Sequence, residues 1–253
     1  MARTTMVAVA AAVLFAAPFA APALAQAPAQ TPAPAKAAPA EAPADALTDP
    51  ALKRAEVLEF MQIKPGDKVA DIIAGRFVRA LSQAVGPTGK VYAVEPAEIV
   101  KAHPTAAEML KKLTADPAYA NVVVSSPPIN APGLPAGLDK VFIRQNYHDL
   151  HDKFMGPADV PAFNKAVFAA LKPGGFYVVL DHADAPGTGL KNTETLHRID
   201  EAAVKAEVTA AGFVLDGESK ILANPADDHT KMVFDPAIRG KTDQFLLRFR
   251  KPG

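Results

Sequence analysis

Apolar and polar residues follow two different spacings along the chain from about residue 48 onward. Apolar positions three and four residues apart predict helices over residues 52–61, 78–85, 97–113, 160–171 and 200–211. Short apolar runs between them predict strands over residues 68–73, 90–94, 122–125, 139–144 and 176–180. Two more strands, 214–219 and 244–250, are predicted to close the sheet as an antiparallel pair. This alternation predicts one α/β domain whose seven-stranded, mostly parallel sheet carries helices on both faces.

Capping and turn residues mark several boundaries in this pattern. Asp49 is placed to cap the first helix, and His103 with Pro104 interrupts the helix over residues 97–113. Residues 172–175 (KPGG) form a turn signal directly before the fifth strand.

The beginning of the chain has the pattern of a cleaved signal peptide. Arg3 supplies a positive charge, residues 6–20 are apolar, and residues 23–25 (ALA) match a signal peptidase site before Gln26. A single membrane anchor is the alternative. The apolar run is shorter than the roughly 20 residues that a span needs, and two prolines interrupt it. We therefore predict an exported, periplasmic protein without stable membrane insertion after cleavage.

The pattern divides the chain into three segments. Residues 1–25 are the predicted signal peptide, and residues 26–47 are an Ala/Pro-rich linker. The linker has too few residues that could form a core to offset its ordering entropy, so we predict that it is disordered. Residues 48–253 form the predicted folded domain.

Charge and cysteine content exclude several classes of site. The chain carries 27 basic and 27 acidic residues, which gives no electrostatic reason to expect a nucleic acid partner. It has 0 cysteines, so thiolate metal sites, cysteine nucleophiles and disulfides are absent.

Polar residues at strand ends are the candidates for a cofactor site, because ligands of open α/β sheets bind beyond the carboxyl ends of the strands. Asp71 stands late in the first strand and is followed by a loop containing Ala74 and Gly75. Glu95 stands at the tip of the second strand, where its carboxylate could accept both hydroxyls of a ribose. The structural alternatives are an Asp71 that only binds the loop backbone and a Glu95 that is a solvated surface acid.

The run after the fourth strand, residues 145–151 (QNYHDLH), is unusually rich in polar and aromatic groups. Tyr147, His148 and Asp149 are candidate catalytic residues, since they could remove a proton from an acceptor hydroxyl or amine. Gln145 and Asn146 are candidate cofactor contacts. A structural role is the alternative, in which Asn146 and Asp149 cap the turn and Tyr147 packs.

A metal site is a further possibility for the same region. His148 and His151 could join His182 or Asp181 as ligands if the fold brought them together. Because no third ligand is in register with the two histidines, we predict that no metal is bound. The segment over residues 193–200 (TETLHRID) could form a lid over the site, and its Arg198 and Asp200 could form a salt bridge.

Seven stretches of the sequence resemble a family of exported, predicted class I methyltransferases of bacteria. They are residues 64–71 (KPGDKVAD), 85–92 (VGPTGKVY), 145–151 (QNYHDLH), 171–175 (LKPGG), 178–182 (VVLDH), 193–200 (TETLHRID) and 239–245 (RGKTDQF). The resemblance covers nearly all of residues 53–252. It implies a Rossmann-like methyltransferase fold with S-adenosylmethionine (SAM) as cofactor, and it does not supply the acceptor, which we expect to be a small molecule.

The sequence departs from this family in the loop after the first strand. Members usually carry a run of glycines there, whereas Ala74 and Gly75 pass directly to Arg76 and Phe77. The loop is about two residues short, and Arg76 and Phe77 are expected to occupy part of the cofactor pocket. Two functions follow as alternatives: a methyltransferase, or a non-catalytic periplasmic binding protein that retains the fold.

Overall fold

The structure is a computed structural model, which describes Met1 and residues 45–156 and 158–253. A seven-stranded sheet forms the centre of the domain. The strands are β1 (Lys68–Ile72), β2 (Lys90–Val94), β3 (Val122–Ser125), β4 (Leu138–Arg144), β5 (Leu171–His182), β6 (Val214–Ser219) and β7 (Gln244–Arg250). Their order across the sheet is β3–β2–β1–β4–β5–β7–β6. Strand β7 is antiparallel to both of its neighbours, and the pairs among β1 to β5 are parallel. The Rossmann-like, mostly parallel sheet is therefore confirmed.

Helices lie on both faces of this sheet, as predicted. The α-helices are α1 (Arg54–Phe60), α2 (Val78–Val85), α3 (Ala97–Ala102), α4 (Pro104–Thr114), α5 (Val160–Ala170), α6 (Thr193–Leu196) and α7 (Glu201–Ala210). Successive residues of β1 alternate between two buried clusters. Val69 belongs to the cluster that holds α1, α2 and α4, whereas Ala70 and Ile72 belong to the cluster that holds α5 and α7.

Two elements differ from the prediction by more than one residue at a boundary. The first helix is divided, because Asp49 caps a short 3₁₀ turn (Pro50–Leu52) and Lys53 then takes a left-handed conformation with φ of 50° before α1. Strand β5 begins at Leu171 instead of residue 176, and the turn 172–175 forms a bulge between the first and second pairings with β4. Gly175 is required in this bulge, since a Cβ atom there would lie 2.9 Å from the carbonyl oxygen of Lys172.

The predicted signal peptide and the linker as far as residue 44 lie, apart from Met1, outside the described residues. The last three linker residues are described, and they pack on the domain. The backbone N–H of Ala46 donates to the carbonyl of Arg76 at 2.8 Å, and Asp45 pairs with Arg79 at 2.8 Å. Within the described ranges, no helix has the length and apolar character needed to cross a membrane.

Candidate functional site

A cavity of about 600 Å³ opens at the carboxyl ends of β1, β2, β4 and β5. It lies where the strand order reverses between β1 and β4, the usual ligand position in this kind of sheet. Eight of the nine predicted site residues line it, namely Asp71, Ala74, Gly75, Glu95, Gln145, Asn146, His148 and Asp149.

Two buried carboxylates, Asp71 and Glu95, form one half of the cavity. Asp71 is 2% exposed and Glu95 is 1% exposed. Within the described part of the chain, Asp71 Oδ2 and Glu95 Oε2 have no hydrogen-bond partner. Buried polar atoms are nearly always paired in native proteins, so these two oxygens are candidate contacts for a ligand.

The same burial changes the acidity of both carboxyls. It raises the pKa of Asp71 to about 7, although the Gly75 N–H and the nearby Arg144 oppose the rise. Burial, together with the charge of Asp71, raises the pKa of Glu95 to about 8. Both pKa values thus lie near neutral pH, so binding of a cationic or hydroxyl-bearing ligand would shift each carboxyl group to its ionised form.

Arg144, which the sequence analysis missed, supplies a cation to this half of the cavity. It is the last residue of β4, its guanidinium lies 5.8 Å from the centre of the Phe77 ring, and it lines the cavity. Burial and the neighbouring Arg76 lower its pKa to about 10, while Asp71 and Asp181 oppose the shift. A charged residue at the carboxyl end of a strand, directly after the apolar residues 141–143, was the signal that could have identified it.

The short loop between β1 and α2 is held by the N-terminal segment. The guanidinium of Arg76 lies 2.5 Å from Asp49 Oδ2, and the Phe77 ring packs edge-on against Phe142 at 5.6 Å. Both Arg76 and Phe77 line the cavity, as expected from the shortened loop. Ile73 adopts a left-handed conformation with φ of 52° without being glycine.

The other half of the cavity is built around His148. The 3₁₀ helix His148–His151 follows β4 and places this ring beside β5. Asp181 Oδ2 accepts a hydrogen bond from the backbone N–H of His148 at 2.8 Å, and its Oδ1 lies 2.9 Å from Nδ1 of the ring. On the opposite side of the ring, His148 Nε2 lies 3.2 Å from Asp149 Oδ1 and 3.3 Å from His197 Nδ1.

These contacts shift the pKa values of the titratable side chains in this half of the cavity. Burial alone would lower the pKa of His148, but Asp181 and Asp149 raise it to about 10. Burial alone would raise the pKa of Asp149, but hydrogen bonds from His148 and His197 hold it well below its usual range. Burial raises the pKa of Asp152, which lies beside this pair, and the nearby Thr193 hydroxyl opposes the rise.

Gln145 and Asn146 line the cavity with their amide nitrogens already bonded to protein groups. Gln145 Nε2 donates to Gln244 Oε1 at 2.9 Å, and Asn146 Nδ2 donates to Asp149 Oδ2 at 2.6 Å. Their amide oxygens are the groups left for a ligand. Asn146 also orients Asp149, which agrees with the structural role considered for it.

Tyr147 does not line the cavity. Its side chain is fully buried, with the hydroxyl donating to Glu207 at 2.9 Å and accepting from Asn164 at 2.8 Å. The 3₁₀ geometry sends adjacent side chains in different directions, so Tyr147 faces α7 while His148 faces the cavity. We correct the candidate catalytic set accordingly to His148 and Asp149.

Of the metal ligands proposed with His148 from the sequence, Asp181 contacts the His148 ring, whereas His151 and His182 bind other groups. His151 Nε2 lies 3.2 Å from Glu207, on the same side as Tyr147. His182 lines the cavity, but its Nδ1 lies 2.8 Å from Thr242 Oγ1, and burial holds its pKa well below the usual range.

The segment over residues 193–200 contributes His197 to the cavity wall. His197 ends α6 with φ of 53° and lies over His148, with the ring centres 5.4 Å apart. Arg198 is fully buried and pairs with Asp227 at 2.9 Å, so the predicted pairing with Asp200 is wrong. Asp200 instead caps α7 through the N–H of Ala202. Phe154, Val233 and Phe234 complete the wall from chain regions to which the sequence analysis assigned no role.

Comparison with known proteins identifies the fold. No protein-family model matches the sequence, and no curated protein matches it either. A SAM-dependent methyltransferase from Aquifex aeolicus matches with a TM-score of 0.55 and 23% identity, over 78% of this chain and 88% of that chain. The N-methyltransferase NodS from Bradyrhizobium japonicum matches with a TM-score of 0.52 and 14% identity, over 80% and 96% respectively. This is the class I methyltransferase fold.

The same fold also occurs in a protein of different activity. The [4+2]-cyclase SpnF matches with a TM-score of 0.54 and 15% identity, over 80% of each chain. The reaction must therefore be argued from the site and not from the fold.

Proposed function

We propose that this protein is a SAM-dependent methyltransferase that acts on a small-molecule acceptor. The observation that carries the proposal is the pair of unpartnered, buried oxygens of Asp71 and Glu95 in one cavity at the switch point of the sheet. A nucleoside joined to an amino acid offers both of the groups that these oxygens lack.

Each cofactor part has a residue of suitable chemistry. The ribose hydroxyls would donate to Glu95, and the ammonium group would pair with Asp71. Arg144 would pair with the carboxylate, and the small side chain of Ala74 together with Gly75 leaves room for close approach of the loop backbone. The cavity volume of about 600 Å³ supports a small molecule as the acceptor beside the cofactor.

The half of the cavity around His148 is then the acceptor side. When bound, SAM supplies a methyl group on a sulfonium, which leaves a neutral thioether. The protein holds the acceptor in line with that methyl group and excludes water, which lowers the entropic part of the barrier. His148 and Asp149 line this side and would orient the hydroxyl or amine of the acceptor.

Calorimetric titration with SAM and with its demethylated product tests this proposal. Glu95→Ala should weaken binding strongly, because hydrogen bonds to a charged group contribute about 1.5–3 kcal/mol each. Glu108→Ala, an exposed acid on α4 outside the cavity, is the matched control and should bind as the unchanged protein does. Equal affinity of Glu95→Ala and the unchanged protein would contradict the ribose assignment.

A non-catalytic binding protein is the second candidate function. It is favoured by the loop between β1 and α2, where Gly75 is the single glycine and the N-terminal segment binds Arg76. If the unchanged protein binds neither SAM nor its product, this second function replaces the first.

Export through a cleaved signal peptide is proposed for either function. It is supported by the charge and apolar pattern of residues 1–25. Intact-mass measurement of protein from the periplasmic fraction should give a chain that begins at Gln26. A mass that includes Met1 would contradict cleavage.

A further inference from the structure

Three side chains of the acceptor side present potential metal-ligand atoms to one another. His148 Nε2, Asp149 Oδ1 and His197 Nδ1 form a triangle with sides of 3.2, 3.3 and 3.7 Å. Bonds of about 2.0–2.2 Å to a tetrahedral metal ion place neighbouring ligand atoms about 3.3–3.6 Å apart. The triangle therefore has the dimensions of one face of such a site.

Neighbouring groups orient two of these atoms toward the triangle. Asp181 Oδ1 lies 2.9 Å from His148 Nδ1, the arrangement by which carboxylates fix the tautomer of metal-binding histidines. With a proton on Nδ1, the lone pair of Nε2 faces the other two ligands. Asn146 Nδ2 binds Asp149 Oδ2 at 2.6 Å, which leaves Asp149 Oδ1 for the triangle.

A second buried acid, Asp152, lies beside the triangle. It is 2% exposed, the Thr193 hydroxyl lies next to it, and its Oδ2 lies 3.9 Å from His197 Nδ1. Burial of a carboxylate is costly unless a nearby cation compensates it, so Asp152 favours a metal ion in the triangle without being one of its ligands.

We propose that His148, Asp149 and His197 bind one divalent first-row transition metal ion. Two imidazoles with a carboxylate suit ions such as Zn²⁺, Co²⁺ and Fe²⁺. Mg²⁺ and Ca²⁺ prefer sites made of oxygen alone, so they are not the expected ions. The set differs from the ligands considered from sequence, because His197 replaces His151 and His182.

The position of the ion gives it a role, which rests on the proposed function. The three residues of the triangle line the cavity, whereas Asp152 does not. A water or substrate oxygen completing the coordination would thus lie on the cavity side. There the ion would act as a Lewis acid toward a hydroxyl group. The acceptor class that fits is a small molecule with a hydroxyl or another oxygen donor.

Metal titration of the full chain, purified without a polyhistidine tag and treated with chelator, tests the site. Zn²⁺ should bind with one equivalent per chain, and Co²⁺ should give visible absorption bands of a low-coordinate site. Mg²⁺ at the same concentrations should not bind. Absence of stoichiometric Zn²⁺ and Co²⁺ binding would overturn the proposal and leave a purely hydrogen-bonded imidazolium–carboxylate cluster.

Substitution of His197 locates the bound ion. His197→Gly removes a ligand and suits the left-handed backbone at this position, so it should weaken Zn²⁺ binding at least 100-fold. His229→Gly is the matched control. His229 also has a left-handed backbone, with φ of 62°, and a carboxylate partner, Asp243, at 3.0 Å, but it lies outside the triangle. Equal weakening by both variants, or none by His197→Gly, would overturn the assignment.

Two further variants complete the test. Asp149→Asn keeps the shape of the side chain and should also abolish tight Zn²⁺ binding, which provides the test if His197→Gly fails to fold. Asp181→Asn should weaken binding about 10–100-fold, the usual effect of a residue that orients a ligand. Because Glu95→Ala should leave Zn²⁺ affinity unchanged, loss of SAM binding and loss of metal binding are distinguishable.

Discussion

At the scale of single residues, the site keeps two acids in an environment that disfavours their charge. Asp71 and Glu95 are buried, each has an oxygen without a partner among the described residues, and the charge of Asp71 raises the electrostatic cost of ionising Glu95. A ligand with hydroxyl and ammonium groups would satisfy both. Without it, the two carboxyls reduce stability at high pH.

The free energy of unfolding should record this cost. The pKa of Glu95 rises from 4.5 to about 8 on folding, so the folded state binds the proton more tightly. Stability from this group is complete below the unfolded value and is lost as the pH rises through the folded value. Ligand-free Glu95→Gln should match the unchanged protein near pH 4 and exceed its stability by about 1–4 kcal/mol near pH 9.

Urea unfolding at the two pH values measures the difference. Glu108→Gln, at an exposed position on α4, should follow the unchanged protein throughout. Parallel profiles for Glu95→Gln and the unchanged protein would show that Glu95 is ionised at low cost, and the unpartnered oxygen would then need another explanation.

The candidate site was predictable from the sequence where its residues follow the ends of strands. Asp71, Glu95 and the run after β4 could be placed because the ends of parallel strands meet at one edge. His197 could not, since it reaches His148 from 49 residues away through a turn whose direction depends on packing. Tyr147 was misassigned because polarity alone does not show which side of a 3₁₀ helix faces a cavity.

At the scale of elements, strands were easier to predict than the connections between them. Strands β2, β3, β6 and β7 have the predicted boundaries, because short apolar runs are bounded by clear turn residues. The first helix was predicted without its break at Lys53. A left-handed lysine carries no sequence signal comparable to that of glycine, and the break arises from the capped turn before it.

The loop between β1 and α2 is the element that decides between the two functions. Replacing residues 73–77 with a longer, glycine-rich loop should raise SAM affinity about tenfold to a hundredfold, equivalent to about 1–3 kcal/mol. The added backbone freedom would allow closer approach of N–H groups, and the side chain of Arg76 would leave the cavity wall. Calorimetric titration measures the change.

The control for this graft carries the same number of added glycines in the turn between Gly86 and Gly89, which does not line the main cavity. Its SAM affinity should be that of the unchanged protein. If the unchanged protein already binds SAM at micromolar concentration and the graft adds nothing, the short loop is an accepted variant, and the binding-protein function is dropped.

At the scale of the whole molecule, the segment before α1 packs on the domain and binds the loop between β1 and α2. Ala46 and Leu52 are buried against the domain, and Asp45 and Asp49 pair with the side chains of Arg79 and Arg76. The composition of residues 26–47 predicted a linker that ends at residue 47, because alanine and proline give no sign of burial. Domain boundaries depend on such tertiary contacts, which a local pattern does not contain.

Two truncated chains should separate the linker from this segment. A chain that begins at Ala42 keeps both ion pairs and the buried Ala46 and Leu52, whereas one that begins at Arg54 loses them all. Burial of a leucine side chain alone contributes about 1.5–3 kcal/mol, so the shorter chain should unfold several degrees lower. It should also bind SAM differently, because Asp49 no longer holds Arg76 at the cavity wall.

Thermal unfolding of the two chains side by side measures the change in stability, and calorimetry measures the change in SAM binding. Identical midpoints would show that residues 42–53 add nothing to the fold, and the domain would then begin at α1.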